Sequence, residues 1–454
     1  MRTSQSRRTA QALAASTAAL TLLAACAGAG GSGSSDDGDS INVLMVNNPQ
    51  MTQLQELTAE HFTSETGIDV NFTVLPENEV RDTISRDFAN QSGQYDVATI
   101  SNYETPIFSR NEWLHSLDEY VEADADYDVD DVLEPINLSL TGEDGQLYAQ
   151  PFYGESSFLM YRTDLFEEHG LTMPERPTWT EVADLAAQVE EAEPEMAGIC
   201  LRGLPGWGEV IAPLTTVVNT FGGTWFDADW QAGLTSPEFV EATEFYVNLV
   251  REHGESGAAQ AGYAECLNNM VQGNAAMWYD ATAGAGSLEA DDSPVAGSIG
   301  YVPAPVEQTD SSGWLYTWAW GIQRASGNAD AAWEFISWAS GSEYEELVGE
   351  TFGWENVPAG KRSSTYDDPR YQEAAAAFYE VTRDAIAEAD PINPGVQERP
   401  APGVQFVTIP EFADLGTRVS QEISSAIAGQ QSVADALENA QRMAEDVAEE
   451  YRNR

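Results

Sequence analysis

Ile41-Asn42-Val43-Leu44-Met45-Val46 is the stretch from which the fold is read, together with the residues after it as far as Ile100. Its apolar residues run almost without interruption, as in a strand buried on both faces of a parallel sheet. Leu54, Leu57, His61 and Phe62 then fall on one face of a helix, and Gly67 is placed to end it. Ile68, Val70, Phe72 and Val74 alternate with polar residues, the period of a strand. A second helical stretch over 79–90 leads to Tyr95-Asp96-Val97-Ala98-Thr99-Ile100, a third strand. Strand, helix, strand, helix, strand predicts an α/β fold with a largely parallel sheet.

Beyond Ile100, Phe158-Leu159-Met160-Tyr161 reads as a strand, as do residues 275–279, 298–302 and 314–322. Helices are predicted over 179–191, with Thr178 as cap, and over 328–340, with Ala332, Phe335, Ile336 and Ala339 facing inward. Ser432, with Asp435 three residues on, starts a C-terminal helix whose stripe is Val433, Leu437, Ala440, Ala444 and Val447. No internal repeat is visible.

The N-terminus reads as an address. Arg2, Arg7 and Arg8 precede an apolar run over 10–25 that is short for a bilayer span and has the length of a signal core. It ends in Leu23-Ala24-Ala25-Cys26, which resembles a bacterial lipobox. The resemblance implies a signal peptide over 1–25, cleavage before Cys26 and lipid on its sulfur. Residues 26–40 are a Gly/Ser-rich tether. The expected location is extracytoplasmic, anchored to the outer face of the cell membrane, or in the periplasm of a host with an outer membrane. Ser6-Arg7-Arg8 leaves the secretion route open between general and twin-arginine.

Lys and Arg total 20 against 75 Asp and Glu, a net charge of −55, and Lys361 is the only lysine in the 454 residues. Such a field repels nucleic acid and anionic lipid, so both are excluded as ligands. It suits a salty or alkaline exterior. A hydrophobic fraction of 42% is that of a folded chain large enough for two sizeable lobes. Cys200 and Cys266 are the two cysteines left in the body, and an oxidising exterior predicts that they pair.

Several chemistries are missing. No G-x-S-x-G elbow appears. Gly360-Lys361 lacks the rest of a phosphate loop, with Glu355 and Arg362 at its other positions. Four scattered histidines and the absence of H-E-x-x-H give no zinc site. Asp124, Asp126, Asp128 and Asp130 alternate like a calcium loop, but Val129 stands where it needs Gly and Pro135 where it needs Glu. That run reads as a solvated acidic face. No metal, cofactor or catalytic residue is assigned, so the chain is not expected to be an enzyme. A secreted glycan hydrolase with paired carboxylates remains the rival class.

Residues 94–106 carry a recognisable pattern. So do Leu147-Tyr148-Ala149-Gln150-Pro151-Phe152-Tyr153-Gly154-Glu155 with Tyr161-Arg162-Thr163-Asp164-Leu165-Phe166, and Gly198-Ile199-Cys200-Leu201-Arg202-Gly203-Leu204-Pro205-Gly206-Trp207-Gly208-Glu209. Together they resemble the sorbitol/mannitol-binding branch of the carbohydrate-binding proteins of ABC importers, over about 41–446. The frame is similar to maltose-binding protein. The resemblance implies a two-lobe, periplasmic-binding-protein-like α/β fold with a hinge and an interlobe ligand cleft. The lobes are expected at 41–152 plus 300–340, and at 153–299 plus 341–454. It implies a monomeric binding component that captures a sugar alcohol, or alternatively a mono- or disaccharide, and hands it to the permease.

Strand ends and the loops after them line such a cleft. This puts Asn47, Asn48, Glu77, Tyr103 and Glu104 after the first three strands, and Glu155 at the first crossover. Arg202 and Trp207 come from the third pattern, and Trp278 and Asp280 from a strand end. Trp318 and Trp320 lie near the second crossover, with Trp354 and Arg362 further on. Carboxylates and amides accept from hydroxyls, arginines donate, and Trp faces cover C–H surface. Trp318 and Trp320 share one face of a strand, so both are cleft or both are core. Trp113, Trp333 and Trp338 read as packing residues. Pro49-Gln50 stands where members of that branch often have Gly-Asp, leaving the exact sugar alcohol open.

Overall fold

Strand β1 (Ser40–Val46) is flanked by parallel β2 (Asp69–Leu75) on one side and parallel β3 (Val97–Ser101) on the other. The chain is seen here in a computed structural model that describes residues 40–124 and 127–453. Cys26, the signal stretch, most of the tether and Asp126 lie outside the described residues. The first helix, Pro49–Thr58, is capped by Asn48, whose side chain accepts from the Met51 N–H. It passes through one wide π turn, Ala59–Thr63, before Ser64–Thr66 and Gly67 at φ 78°. The wide turn shifts the helix face, so Leu54, Leu57 and Phe62 are buried while His61 remains half-exposed.

The same sheet is completed by β8 (Tyr316–Ile322) and β4 (Gln150–Glu155), both antiparallel to their neighbours, in the order β2-β1-β3-β8-β4. β4 is a strand in a segment expected only as a crossover. Pro151 and Gly154 disguise it, and both are tolerated because β4 is an edge strand with a register shift between Pro151 and Tyr153. Helix Ala329–Ser340 covers this sheet, with Phe335 5.8 Å from Trp320 between ring centres.

A second, antiparallel sheet has the order β6-β5-β7: β6 (Met277–Ala281), β5 (Ser157–Arg162) and β7 (Ile299–Pro303). Ser156 alone separates β4 from β5, so the chain changes sheets there. It returns between Pro303 and Tyr316; β7 fills the free edge of β5, so residues up to 303 belong to the second sheet although the change is expected at 299/300. Around this sheet lie helix Trp179–Ala192, with a Thr178–Glu181 capping box, and helices Pro237–His253, Phe412–Ile427 and Val433–Arg452. Helix Ile211–Thr220 is buried at every position, so it has no amphipathic stripe to betray it. Cys200 and Cys266 form a disulfide with Cα atoms 5.6 Å apart. Among the described residues no helix is long and apolar enough to cross a membrane.

Candidate functional site

Where the chain passes between its two sheets there is a cavity of about 250 Å³. Asn47, Asn48 and Glu77 line it from the ends of β1 and β2, and Tyr153 and Glu155 from the crossing. Arg202, Leu204, Glu209 and Tyr263 face it from the other side, and Gln405 and Phe406 close it from a late loop. Benzene fits a cavity of roughly 150 Å³ and drug-sized ligands need about 300 Å³ or more, so this one suits a small solute.

Two guanidinium groups organise its charge. Arg81 lies one turn after Glu77 on helix Glu77–Asn90, and its Nη2 sits 2.8 Å from the Glu77 carboxylate. Glu104 lies 3.4 Å from Nη1, and the Tyr316 hydroxyl accepts from Nη2 at 2.5 Å. Burial pulls the Arg81 pKa down, but Tyr316, Glu77 and Glu104 more than offset it and hold the group charged. Glu104 itself also accepts from the Ser101 N–H and hydroxyl at 2.8 and 2.9 Å, so it sits behind Arg81 and not on the cavity wall.

Arg202 is gripped by Asp280 through Nε at 2.8 Å and Nη2 at 2.6 Å, while Nη1 donates to the Gly208 carbonyl at 2.8 Å. Asp280 also accepts from the Trp278 indole at 3.2 Å and the Ala281 N–H at 2.7 Å. Asp280 and Trp278 are fully buried. Both are expected in the cleft; instead they aim Arg202, because every strong acceptor site of Asp280 is already taken.

Glu155 and Glu209 are the buried acids of the cavity. Among the described residues none donates a hydrogen bond to the Glu155 carboxyl. Burial pushes its pKa well above the usual carboxylate range, which Arg202 partly offsets and Asp280 and Glu77 reinforce. Burial, then Glu77, pushes Glu209 up to about 8, although it accepts from the Tyr263 N–H at 3.2 Å and lies 3.5 Å from Arg202. The Trp314 indole N–H, on the same cavity, is buried and without a partner among the described residues.

The remaining expected residues separate. Trp318 lines the cavity, whereas Trp320, on the same strand face, is 5.3 Å from Phe152 in the core. Two residues along a strand move a side chain about 6.6 Å deeper, so a shared face does not mean a shared environment. Trp207 is behind the wall, with Arg81 over its ring at 4.1 Å and Tyr103 and Phe406 each 4.8 Å from it. Tyr103 is likewise behind, its hydroxyl donating to the Ile409 carbonyl at 2.9 Å. Trp354 is elsewhere, covered by Arg370 at 4.1 Å, because its loop follows helix Ser342–Phe352 and never reaches the cavity. Arg362 is spent on the carbonyls of Tyr127, Asp128 and Ser340 and on Asp131. Asp124, expected as part of a solvated acidic run, accepts from Trp333 and Ser337, and Asp131 beside that run accepts from Arg362. Lys361 is buried against Glu345 and the Pro358 carbonyl. Cys200, Cys266 and Glu255 cluster, but bonded sulfurs are poor metal ligands.

Arg81, Tyr263, Tyr316, Gln405 and Phe406 are absent from the residues singled out by sequence, and Glu209 stands there only as the last residue of the third pattern, without a role. The Glu77–Arg81 spacing is the local signal that points to Arg81. The arrangement as a whole offers fixed N–H donors, carboxyl acceptors and some ring surface, which suits an uncharged solute rich in hydroxyls.

Residues 47–346 match the model of the bacterial extracellular solute-binding proteins. A mannitol-binding protein of Pseudomonas aeruginosa is 40% identical over 407 residues, 89% of this chain and 92% of that one. A solute-binding protein of Agrobacterium vitis, solved with bound D-mannitol, superposes with a TM-score of 0.88 at 42% identity, covering 91% of this chain and 99% of the other. One from Agrobacterium radiobacter, solved with ribitol, gives 0.80 at 25% identity over 90% and 99%. A maltose-bound protein of T. maritima, at 21% identity and a TM-score of 0.74, shares the two-lobed fold. Family match, identity and fold agree: this chain belongs to the bacterial extracellular solute-binding proteins of ABC transporters, and it is a binding protein, not an enzyme.

Proposed function

We propose that this protein captures an acyclic sugar alcohol of about hexitol size and delivers it to the permease of an ABC importer. The observation that carries this is the cavity of about 250 Å³ in which Glu77, Glu155 and Glu209 face Arg81 and Arg202. Each carbon of a polyol bears a hydroxyl, and each hydroxyl both donates and accepts. Glu77, Glu155, Glu209, Arg81, Arg202, Asn48 and Trp318 contact the solute in this reading. Glu104, Asp280, Trp278, Trp207 and Tyr103 hold those groups in place. The mannitol and ribitol named for the similar proteins support the same ligand class.

The lobes divide at Ser156, between Pro303 and Tyr316, and beyond Arg362, a later point than the expected 340/341 because Lys361 and Arg362 still bond to Leu133, Tyr127 and Asp131 of the first lobe. In this reading the solute is trapped when they close, and the closed surface is what the permease meets. Cys26 carries the lipid, and the body acts as a monomer on the outer face of the membrane. Calorimetric titration of the body in high salt, with D-mannitol, D-sorbitol, ribitol, glucose and maltose, tests the proposal. Saturable binding of one alditol at about micromolar Kd or tighter, with the solute recovered unchanged, is expected. Binding of a cyclic sugar alone, or of none of them, overturns it.

A further inference from the structure

Aromatic rings lie on and just behind the cavity wall, and four of them carry an arginine over one face. The Arg81 guanidinium lies over the Trp207 ring at 4.1 Å, over Trp318 at 4.7 Å and over Tyr316 at 5.7 Å. Arg202 lies over Tyr263 at 5.2 Å. A pyranose presents a flat face of C–H groups, and a bare aromatic plate is what compensates for drying that face. An open-chain alditol has no such face; its hydroxyls point in all directions and want donors and acceptors around them.

Arg81 cannot easily step aside. Glu77 and Glu104 hold it from its own lobe, and Tyr316 accepts a further hydrogen bond. From the opposite side, the backbone at Gly208 approaches so closely that a Cβ there would stand 2.3 Å from the Glu77 carboxylate and 3.0 Å from Arg81 Nε. Of the five guanidinium N–H groups, the bonds to Glu77, Glu104 and Tyr316 use four, leaving one on Nη1 for a solute.

We infer that Arg81 is a specificity-determining residue: by occupying the indole faces of Trp207 and Trp318 it selects open-chain polyols and rejects pyranoses. This rests on the polyol reading above. The planar fork stacks on rings and pairs with carboxylates at once, which a lysine does not do.

The test compares D-mannitol with 1,5-anhydro-D-mannitol, the same carbon chain closed into a ring that cannot open. Calorimetry is run on the wild type, on Arg81→Lys, and on Arg81→Ala combined with Glu104→Gln, which removes the more buried of the two carboxylates left unpaired. Thermal melts establish that each variant is folded. The wild type is expected to prefer the open chain by at least about 100-fold, because ring closure replaces two hydroxyls by one ether oxygen and a site built to hydrogen-bond hydroxyls rejects such analogues by that much or more. In the variants the preference contracts at least about tenfold, and it does so by a gain in affinity for the ring. If the double variant fails to melt cooperatively, Arg81→Lys decides, since it keeps a positive charge between Glu77 and Glu104. An unchanged preference in a folded variant overturns the inference and leaves the polyol reading intact, as does a wild type that binds the ring equally well. A wild type that binds no polyol overturns both.

Discussion

The surroundings of Glu155 and Glu209, the two buried acids of the cavity, favour the protonated form. Their folded-state pKa values lie above the ordinary 4.5, Glu209 at about 8. A raised carboxyl pKa means the native state binds more protons than the unfolded one. The stability this allows is complete below about pH 4.5 and is lost as pH rises through about 8. Glu209→Gln is therefore expected to flatten the fall in melting temperature of the unliganded protein across that window, and Glu155→Gln to flatten the fall above about pH 4.5, relative to wild type. Melts at a series of pH values check this, and parallel curves for wild type and variants contradict it. Asp280 plays a structural part, its carboxylate consumed by Arg202 and Trp278. Asp280→Asn leaves a buried guanidinium without its charge partner, so a loss of about 3–5 kcal/mol in denaturant unfolding is expected, with binding abolished.

At the scale of elements, the loop holding Pro205-Gly206-Trp207-Gly208 closes on helix Glu77–Asn90. Asn78 donates to the Pro205 carbonyl at 3.0 Å, and Gly206 and Gly208 have no room for a side chain against Asn78 and Glu77. Gly208→Ala is expected to weaken solute affinity by about tenfold or more while the melting temperature moves little, because it keeps this loop from seating. Unchanged affinity would remove the loop from the binding process. The disulfide steadies the same side of the cavity. It closes a span of 66 residues, for which the chain-entropy account gives about 4 kcal/mol. Cys200→Ala with Cys266→Ala should lower unfolding free energy by up to that amount, measured in denaturant.

Over the whole molecule, a net charge of −55 sets a strong self-repulsion that salt screens. The melting temperature is expected to rise as sodium chloride increases from about 0.01 M to about 1 M, with the steepest gain where the screening length shortens from about 30 Å to 10 Å. A flat or falling curve would mean that local ion pairs, such as Arg370 with Glu346 and Asp368, outweigh the overall field.

How much was legible depends on the range of the forces involved. Four strands of the first sheet, the three of the second and the helices at 179–192, 329–340 and 433–452 could be read because burial on one or both faces writes a short-period pattern into the chain. β4 could not, with Pro151 and Gly154 inside it, nor could helix Ile211–Thr220, buried all round. By itself the sequence determined the α/β class and the family, since both rest on local patterns and motifs. Only the tertiary structure decided which of many acids faces the cavity and which is consumed by an arginine. Asp280 and Arg202 are 78 residues apart, and Arg81 and Tyr316 are 235 apart. The charge state and reach of each group depend on partners that distance along the chain conceals and folding brings together.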